Sequence, residues 1–203
     1  MKKLLTPRGY LSWVAINLWL NSPQKYKDHY FFGEENTTSD RMDFGSKVAT
    51  AMETEEETDD AMINMLIALL PRLPKREHEI RVPLKTSGGI VDILGKMDQF
   101  DPKTLAIRET KTGIIKWTQG RANKHKQLDH YAALVWIKHK KLPSEIWLDW
   151  AQTEKDENGA ISLTGQIKSF RVEKTLSDIL SYLAIVARVA REIDVAYREE
   201  LKI

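Results

Sequence analysis

The chain has 203 residues, of which 42% are hydrophobic and 30% charged, and its formal net charge is +2. This is the composition of a globular protein, and so small a net charge gives no sign of nucleic-acid binding by bulk electrostatics. The chain has no cysteine, which excludes disulfides, iron–sulfur clusters and cysteine-liganded zinc. No apolar segment has the length of a membrane span or a signal peptide, so we expect a cytoplasmic protein with no membrane partner.

The first third of the chain has the pattern of helices. Ser12 and Ser22 are suitable N-caps, and Pro23 suits the first position of a helix. The first helix would bury a face with Trp13, Ile16 and Leu20. The expected elements are helices over residues 13–20 and 23–33, a polar loop over residues 33–40, a helix from residue 40 that includes FGSKVATAME, and an apolar helix over residues 61–70.

The hydrophobic period then changes to that of strands. Ile80, Val82 and Leu84 alternate with other residues, and Pro83 places this strand at an edge of the sheet. Glycines in the turn at residues 86–89 predict a hairpin. The expected elements are strands over residues 78–84, 90–99, 104–112, 144–153 and 161–172, a long helix over residues 118–140, and a last helix with a capping box formed by Thr175 and Asp178.

This order of elements predicts an α/β or α+β fold, with a central mixed sheet of about five strands flanked by helices. No linker or internal repeat divides the chain. We therefore expect one domain, with a mainly helical part over residues 1–75, the sheet and its central helix over residues 76–173, and the C-terminal helix over residues 174–203.

Charged side chains meet on the second and third predicted strands. Asp98 ends one strand in GKMD, and Glu109 and Lys111 lie in the next, in RETKTG. Because side chains alternate along a strand, Glu109 and Lys111 project to the same side. Two carboxylates on adjacent strands can hold a hard divalent cation, and a lysine beside them can position the water that attacks a phosphodiester. Asp92 is a rival for Asp98, but we expect it to face solvent or to pair with a basic side chain.

The order of these motifs resembles the PD-(D/E)XK nuclease superfamily, and within it the RecB-like exonuclease branch. GKMD resembles that branch's G-x-x-D, and the segment from Glu109 through Thr110 and Lys111 to Gly113 resembles (D/E)-x-K-T-G. A Q-x-x-x-Y motif follows on one helical face, as Gln127 and Tyr131. The resemblance extends over residues 12–153.

The resemblance implies a restriction-endonuclease-like core and a Mg²⁺- or Mn²⁺-dependent nuclease that acts on DNA, without an iron–sulfur cluster. The metal ligands would be Asp98, Glu109 and the carbonyl of Thr110. Lys111 would orient the attacking water, and Gln127 and Tyr131 would complete the catalytic set.

One motif departs from the family pattern. Many members carry a histidine in G-x-x-x-H on a helix before the sheet, whereas the matching segment from Gly45 ends in Ala49. Glu53 lies one turn later on the same helical face and could replace it as a ligand. The departure leaves the number of metal ions open. It also leaves open a non-catalytic DNA-binding or assembly domain.

A basic run with an interleaved aromatic residue follows the Glu-x-Lys motif. Such a run suits phosphate contacts and base stacking, but it also fits a solvated surface. The candidate DNA-binding residues are Lys116, Trp117, Arg121, Lys124 and Lys126.

We expect an exonuclease in DNA recombination or repair, of a kind that fits a phage-encoded protein. The alternative enzyme is a structure-selective endonuclease of the same superfamily. The expected partner is DNA, while a homo-oligomer or a recombination or helicase partner is not readable from the sequence. A helical scaffold that binds neither metal nor DNA is a third alternative.

Overall fold

The computed structural model describes residues 1–35 and 39–202. Its strands are β1 (Leu11–Ser12), β2 (Lys75–Thr86), β3 (Gly89–Asp101), β4 (Ala106–Gly113), β5 (Ile146–Lys155) and β6 (Ile161–Arg171). Its helices are α1 (Trp13–Asn21), α2 (Pro23–Tyr30), α3 (Asp40–Thr54), α4 (Ala61–Leu69), α5 (Gln119–Asn123), α6 (Lys126–His139) and α7 (Leu176–Leu201). The loop predicted over residues 33–40 lies partly outside the described residues. None of the described helices combines the length and apolarity that crossing a bilayer requires.

The strands form one mixed sheet in which β3 is central. Strand β3 pairs antiparallel with β2 along nearly its whole length, and parallel with β1 at Ile93 and Leu94. It pairs with β4 only over residues 99–101. Strand β4 then runs parallel to β5, and β5 antiparallel to β6. The predicted α+β class is confirmed, and β2 lies at an edge as Pro83 indicated. The two-residue β1 is a sixth strand that the prediction lacked.

Helices cover both faces of this sheet. Trp150 and Ala151 are neighbours in β5 and therefore point to opposite faces. Trp150 packs in the larger core with residues of α1, α6 and α7, whereas Ala151 packs with residues of α3 and α4. Helices α3 and α6 thus approach the end of β4 from opposite sides.

The helix predicted over residues 118–140 is in fact two helices, and the prediction of one long helix was wrong. Helix α5 ends at Asn123 and α6 begins at Lys126, with His125 in an extended conformation between them. The His125 ring packs edge-on against Trp117 at 5.1 Å and Trp13 at 6.4 Å between ring centroids. Burial of this ring between two indoles favours the break over a continuous helix.

A second histidine, His130 of α6, is completely buried. Its Nε2 lies 2.9 Å from the carbonyl oxygen of Leu94, which can only accept, so Nε2 carries the proton. The hydroxyl of Tyr182 then donates to Nδ1 at 2.8 Å. Burial lowers the pKa of His130 from 6.5 to about 4, although its hydrogen bond to Leu94 opposes this effect. The imidazole is therefore neutral in the folded protein at neutral pH.

We expect folding stability to fall as pH decreases from 6.5 towards 4, because the unfolded chain takes up a proton that folded His130 excludes. At about 1.4 kcal/mol per pH unit, His130 accounts for ~3 kcal/mol of this loss. Urea unfolding at a series of pH values measures it. The variant His130→Gln should lose this part of the pH dependence, and His29→Gln, a change at the surface, should retain it. Equal pH slopes for His130→Gln and wild type would contradict the assignment.

Candidate active site

The candidate site lies where β3 and β4 separate. Beyond the short paired stretch, the side chain of Asp98 enters the gap, and its Oδ2 accepts a hydrogen bond of 2.7 Å from the backbone N–H of Thr110. The N–H and C=O groups of one strand residue point to the same edge of the strand. The carbonyl of Thr110 therefore faces the same gap as its N–H and is directed towards Asp98.

Glu109 and Lys111 lie side by side, as their strand spacing predicted. Oε1 of Glu109 is 2.5 Å from Nζ of Lys111, while Oε2 has no hydrogen-bond partner among the described residues. The Glu109 side chain is only 1% exposed. A buried carboxylate oxygen without a partner costs free energy unless it meets a proton or a cation. This oxygen is thus suited to a metal ion.

The charges of this cluster shift its protonation equilibria. Burial raises the pKa of Asp98 well above its ordinary value of 3.8, and the nearby charge of Glu109 adds to the effect. Burial by itself would lower the pKa of Lys111, but the charges of Glu109 and Asp98 outweigh it and raise this pKa above 10.5. Lys111 therefore remains an ammonium at neutral pH. A group so firmly protonated can donate hydrogen bonds and balance charge, but it is poorly suited to act as a general base.

Helix α6 closes the site from one face of the sheet. Nε2 of Gln127 donates to the hydroxyl of Tyr131 at 2.7 Å, and this hydroxyl donates to the carbonyl of Lys96 at 2.8 Å. Burial and the charges of Glu109 and Asp98 raise the pKa of Tyr131, which keeps the phenol neutral. The two motif residues thus act as one hydrogen-bonded pair beside the carboxylates.

Gly95 explains why α6 can come so close to β3. A Cβ atom at this position would lie 2.5 Å from Cδ1 of Leu134 and 3.1 Å from the ring of Tyr131. A larger residue here would have to displace the end of the Leu134 side chain and press on the Tyr131 ring, so the glycine of GKMD allows this close approach.

Helix α3 closes the other face, across a small cavity of about 40 Å³ that Asp98 and Thr110 help to line. Ala49, at the position of the family histidine, and Glu53, one turn later, both line this cavity. A further acid that was not predicted, Glu77 of β2, also lines it. Nothing in the pattern of β2 distinguishes Glu77 from its neighbours. In the structure it has a positive φ of 48° and forms an ion pair with Lys96.

The described residues include no group of three or more His, Cys, Asp or Glu side chains arranged to hold a metal ion. A cation at this site would therefore rely on Asp98, Glu109, a backbone carbonyl and solvent. Asp92, the rival acid on β3, forms an ion pair of 2.8 Å with Arg81. This agrees with the expectation that it pairs with a basic side chain.

The predicted DNA-binding residues separate into two groups. Lys116, Arg121 and Lys124 are exposed, on the segment that leads from β4 to α6. Trp117, by contrast, is 7% exposed, and the guanidinium carbon of Arg121 lies 4.2 Å from its ring centroid. Its indole supports Arg121 instead of offering an open face for a base, which corrects the predicted stacking role.

Lys126 is also engaged within the protein. Its Nζ lies 2.9 Å from Oδ2 of Asp129, whose side chain is 1% exposed. Lys174 approaches the other carboxylate oxygen of Asp129 at 2.6 Å. A lysine that neutralises a buried carboxylate is less free to contact phosphate than Lys116 or Lys124.

No protein-family model matches the chain, and no curated protein matches it. Several chains of solved structures resemble it, among them the following two. The crystal structure of SSO0001 has a TM-score of 0.50 and 10% sequence identity, and the match covers 91% of this chain and 77% of that one. A phage related exonuclease from Haemophilus somnus 129PT has a TM-score of 0.48 and 11% identity, with 86% and 79% of the two chains covered. At such low identity the likeness to SSO0001 concerns the fold alone, and it agrees with a mixed six-stranded sheet flanked by helices.

Proposed function

We propose that the chain is a divalent-metal-dependent nuclease that hydrolyses DNA phosphodiester bonds, with the site architecture of the PD-(D/E)XK superfamily. One observation carries the proposal. Asp98, Glu109 and Lys111 converge at the gap between β3 and β4, and the Gln127–Tyr131 pair lies beside them. These residues come from three separate elements, and their juxtaposition is difficult to explain by packing alone.

The donor set fits Mg²⁺ or Mn²⁺. Hard divalent cations prefer oxygen ligands, and Asp98, Glu109 and the Thr110 carbonyl would supply them. The unpartnered Oε2 of Glu109 is the specific observation that favours a cation here. When bound, such a cation would supply Lewis-acid activation of water and stabilisation of the charge that develops on the phosphate. Glu53 lines the same cavity as Asp98, from α3, but it does not join the two carboxylates in one group that could hold a metal ion.

The side chains of the site would orient the attacking water, offset charge and hold the DNA. The Lys111 ammonium would orient the attacking water by a hydrogen bond and offset negative charge in the transition state. Gln127 and Tyr131 would hold the backbone of β3 in place, through the hydrogen bond between them and the one from Tyr131 to the carbonyl of Lys96. Exposed Lys116, Arg121 and Lys124 would hold the DNA strand electrostatically.

A non-catalytic DNA-binding or assembly domain is the second candidate, because Ala49 stands where the family has a histidine. Binding of Mn²⁺, measured by calorimetry, separates the two candidates. We expect Asp98→Ala to abolish binding and Asp92→Ala, a change to an ion-paired acid on the same strand, to leave it intact. Mn²⁺ binding that survives Asp98→Ala would contradict the proposed ligand set.

Cleavage of linear and circular DNA, single- and double-stranded, with Mg²⁺, Mn²⁺ or EDTA tests the activity itself. We expect loss of linear DNA with either metal and none in EDTA. The RecB-like resemblance favours an exonuclease, which leaves circles intact, whereas cut circles would identify the endonuclease alternative. If the protein binds DNA but cleaves it with neither Mg²⁺ nor Mn²⁺, the non-catalytic domain would be established.

A further inference from the structure

A second cleft opens beside the candidate site. We call it the Arg41–Arg121 cleft. It has a volume of about 210 Å³ and lies between α3 and the segment after β4, and its walls include Arg41, Phe44, Ile114, Ile115 and Arg121. It shares Thr112 with the cavity next to Asp98, and Lys111 lies on its wall. A ligand in this cleft would be continuous with one at the carboxylates.

Two arginines face this cleft from different elements. Arg121 is held in place, since its NH1 donates to the carbonyl of Ile115 at 3.2 Å and its guanidinium stacks on Trp117. Its remaining N–H groups donate to no other group within residues 1–35 and 39–202, so an anion could accept from them. Arg41, in the first turn of α3, is exposed and forms no ion pair within the described part of the chain. Guanidinium groups so arranged suit bidentate contacts to phosphate.

An apolar surface lies between these cations. Ile115 is 70% exposed, and Phe44 and Ile114, which line the same cleft, are half-buried. A ligand that matches both features must combine an anionic group with an apolar face. A nucleotide does so, since it carries a phosphate and, when unstacked, a base with an open face.

We infer that the Arg41–Arg121 cleft binds an unstacked nucleotide that flanks the scissile phosphate, so that the substrate is single-stranded DNA or a frayed end. The inference rests on the proposed function. A base inside a duplex has both faces covered by its neighbours and offers none to Ile115 or Phe44. An unpaired base has a free face for such a contact, and its phosphates remain available to the arginines.

Binding of fluorescently labelled DNA in EDTA tests this inference without any cleavage. By analogy with the weaker end of base-stacking contacts, Ile115→Ala should weaken single-strand binding about fivefold and leave blunt-duplex binding unchanged. Ile115→Phe should bind single strands as the wild type does. Arg41→Ala should weaken binding and lower the slope of log affinity against log salt by about one, as loss of one phosphate contact does. Leu180→Ala and Arg191→Ala on α7, across the sheet, are the matched controls.

The outcomes separate this inference from the proposed function. If Ile115→Ala and Arg41→Ala bind single strands as wild type does, the cleft assignment is overturned, even where metal-dependent cleavage is observed. Equal losses on duplex and single strand for Ile115→Ala would also overturn it. If single-strand binding depends on both residues but no metal supports cleavage, the cleft stands and the nuclease proposal fails.

Discussion

Replacing Lys111 by alanine is expected to lower the rate of metal-dependent DNA cleavage by at least about a hundredfold, the usual cost of losing one positioned donor at a reacting centre. Lys111 is the only cation in contact with Glu109 among the described residues. Its raised pKa keeps it charged, so the variant loses both a hydrogen-bond donor and a positive charge next to the reacting phosphate. Initial rates on linear DNA at saturating Mg²⁺ measure the effect.

The control for this variant is Lys103→Ala, which removes an exposed lysine from the turn before β4. It should cleave DNA at the wild-type rate. Because Lys111→Ala leaves Glu109 buried without its cation, unfolding temperature is compared in parallel. Lys111→Gln keeps a hydrogen-bond donor for Glu109 but lacks the positive charge. It provides a second test in case Lys111→Ala does not fold. If folded Lys111→Ala and Lys111→Gln both cleave DNA at nearly the wild-type rate, Lys111 has no part in the mechanism.

Replacing Asp149 by alanine is expected to destabilise the protein by about 3–5 kcal/mol, the cost of leaving one partner of a buried ion pair alone. Arg108 of β4 donates from Nε and NH2 to the two carboxylate oxygens of Asp149 in β5, each at 2.7 Å. The two side chains are 8% and 0% exposed. Without Asp149 the guanidinium stays buried with no counter-charge. The midpoint and slope of urea unfolding measure the loss.

Asp92→Ala provides the comparison, since it removes the acid of an arginine–aspartate pair at the surface. The side chains of Arg81 and Asp92 are 44% and 24% exposed, and a pair so solvated contributes about 1 kcal/mol or less. A loss for Asp149→Ala no larger than for Asp92→Ala would show that water or a rearranged side chain replaces the buried partner.

Local sequence signals predicted much of the fold. Alternation located β2, the glycines at its end located the hairpin, and Thr175 with Asp178 forms the predicted capping box of α7. Features that depend on contacts with residues distant in the sequence could not be predicted. Strand β1 exists only because Leu11 and Ser12 lie beside β3. In α1 the predicted buried residue Leu20 is 41% exposed, whereas Trp19 is buried and donates to Glu192 at 2.8 Å.

In the candidate site too, local contacts were predictable from the sequence, whereas contacts made through tertiary packing were not. The spacing of Glu109 and Lys111 predicted their contact, because a strand fixes side-chain direction. The sequence could not show that Ile115 would be exposed or that Arg41 would line the same cleft, since only the packing of α3 on β4 brings their segments together. Nor could it show that Trp117 would be covered by Arg121 and His125, which requires the break between α5 and α6.

The separation of β3 from β4 has a consequence for local opening of the sheet. The amide proton of Thr110 is protected by the carboxylate of Asp98 and not by a neighbouring strand. Its exchange with solvent deuterium should therefore follow the state of that one side chain, whereas the amides paired within β2 and β3 require wider unfolding to exchange. The site thus contains a backbone position whose hydrogen exchange reports on proton or cation occupancy of Asp98 while the rest of the sheet stays closed.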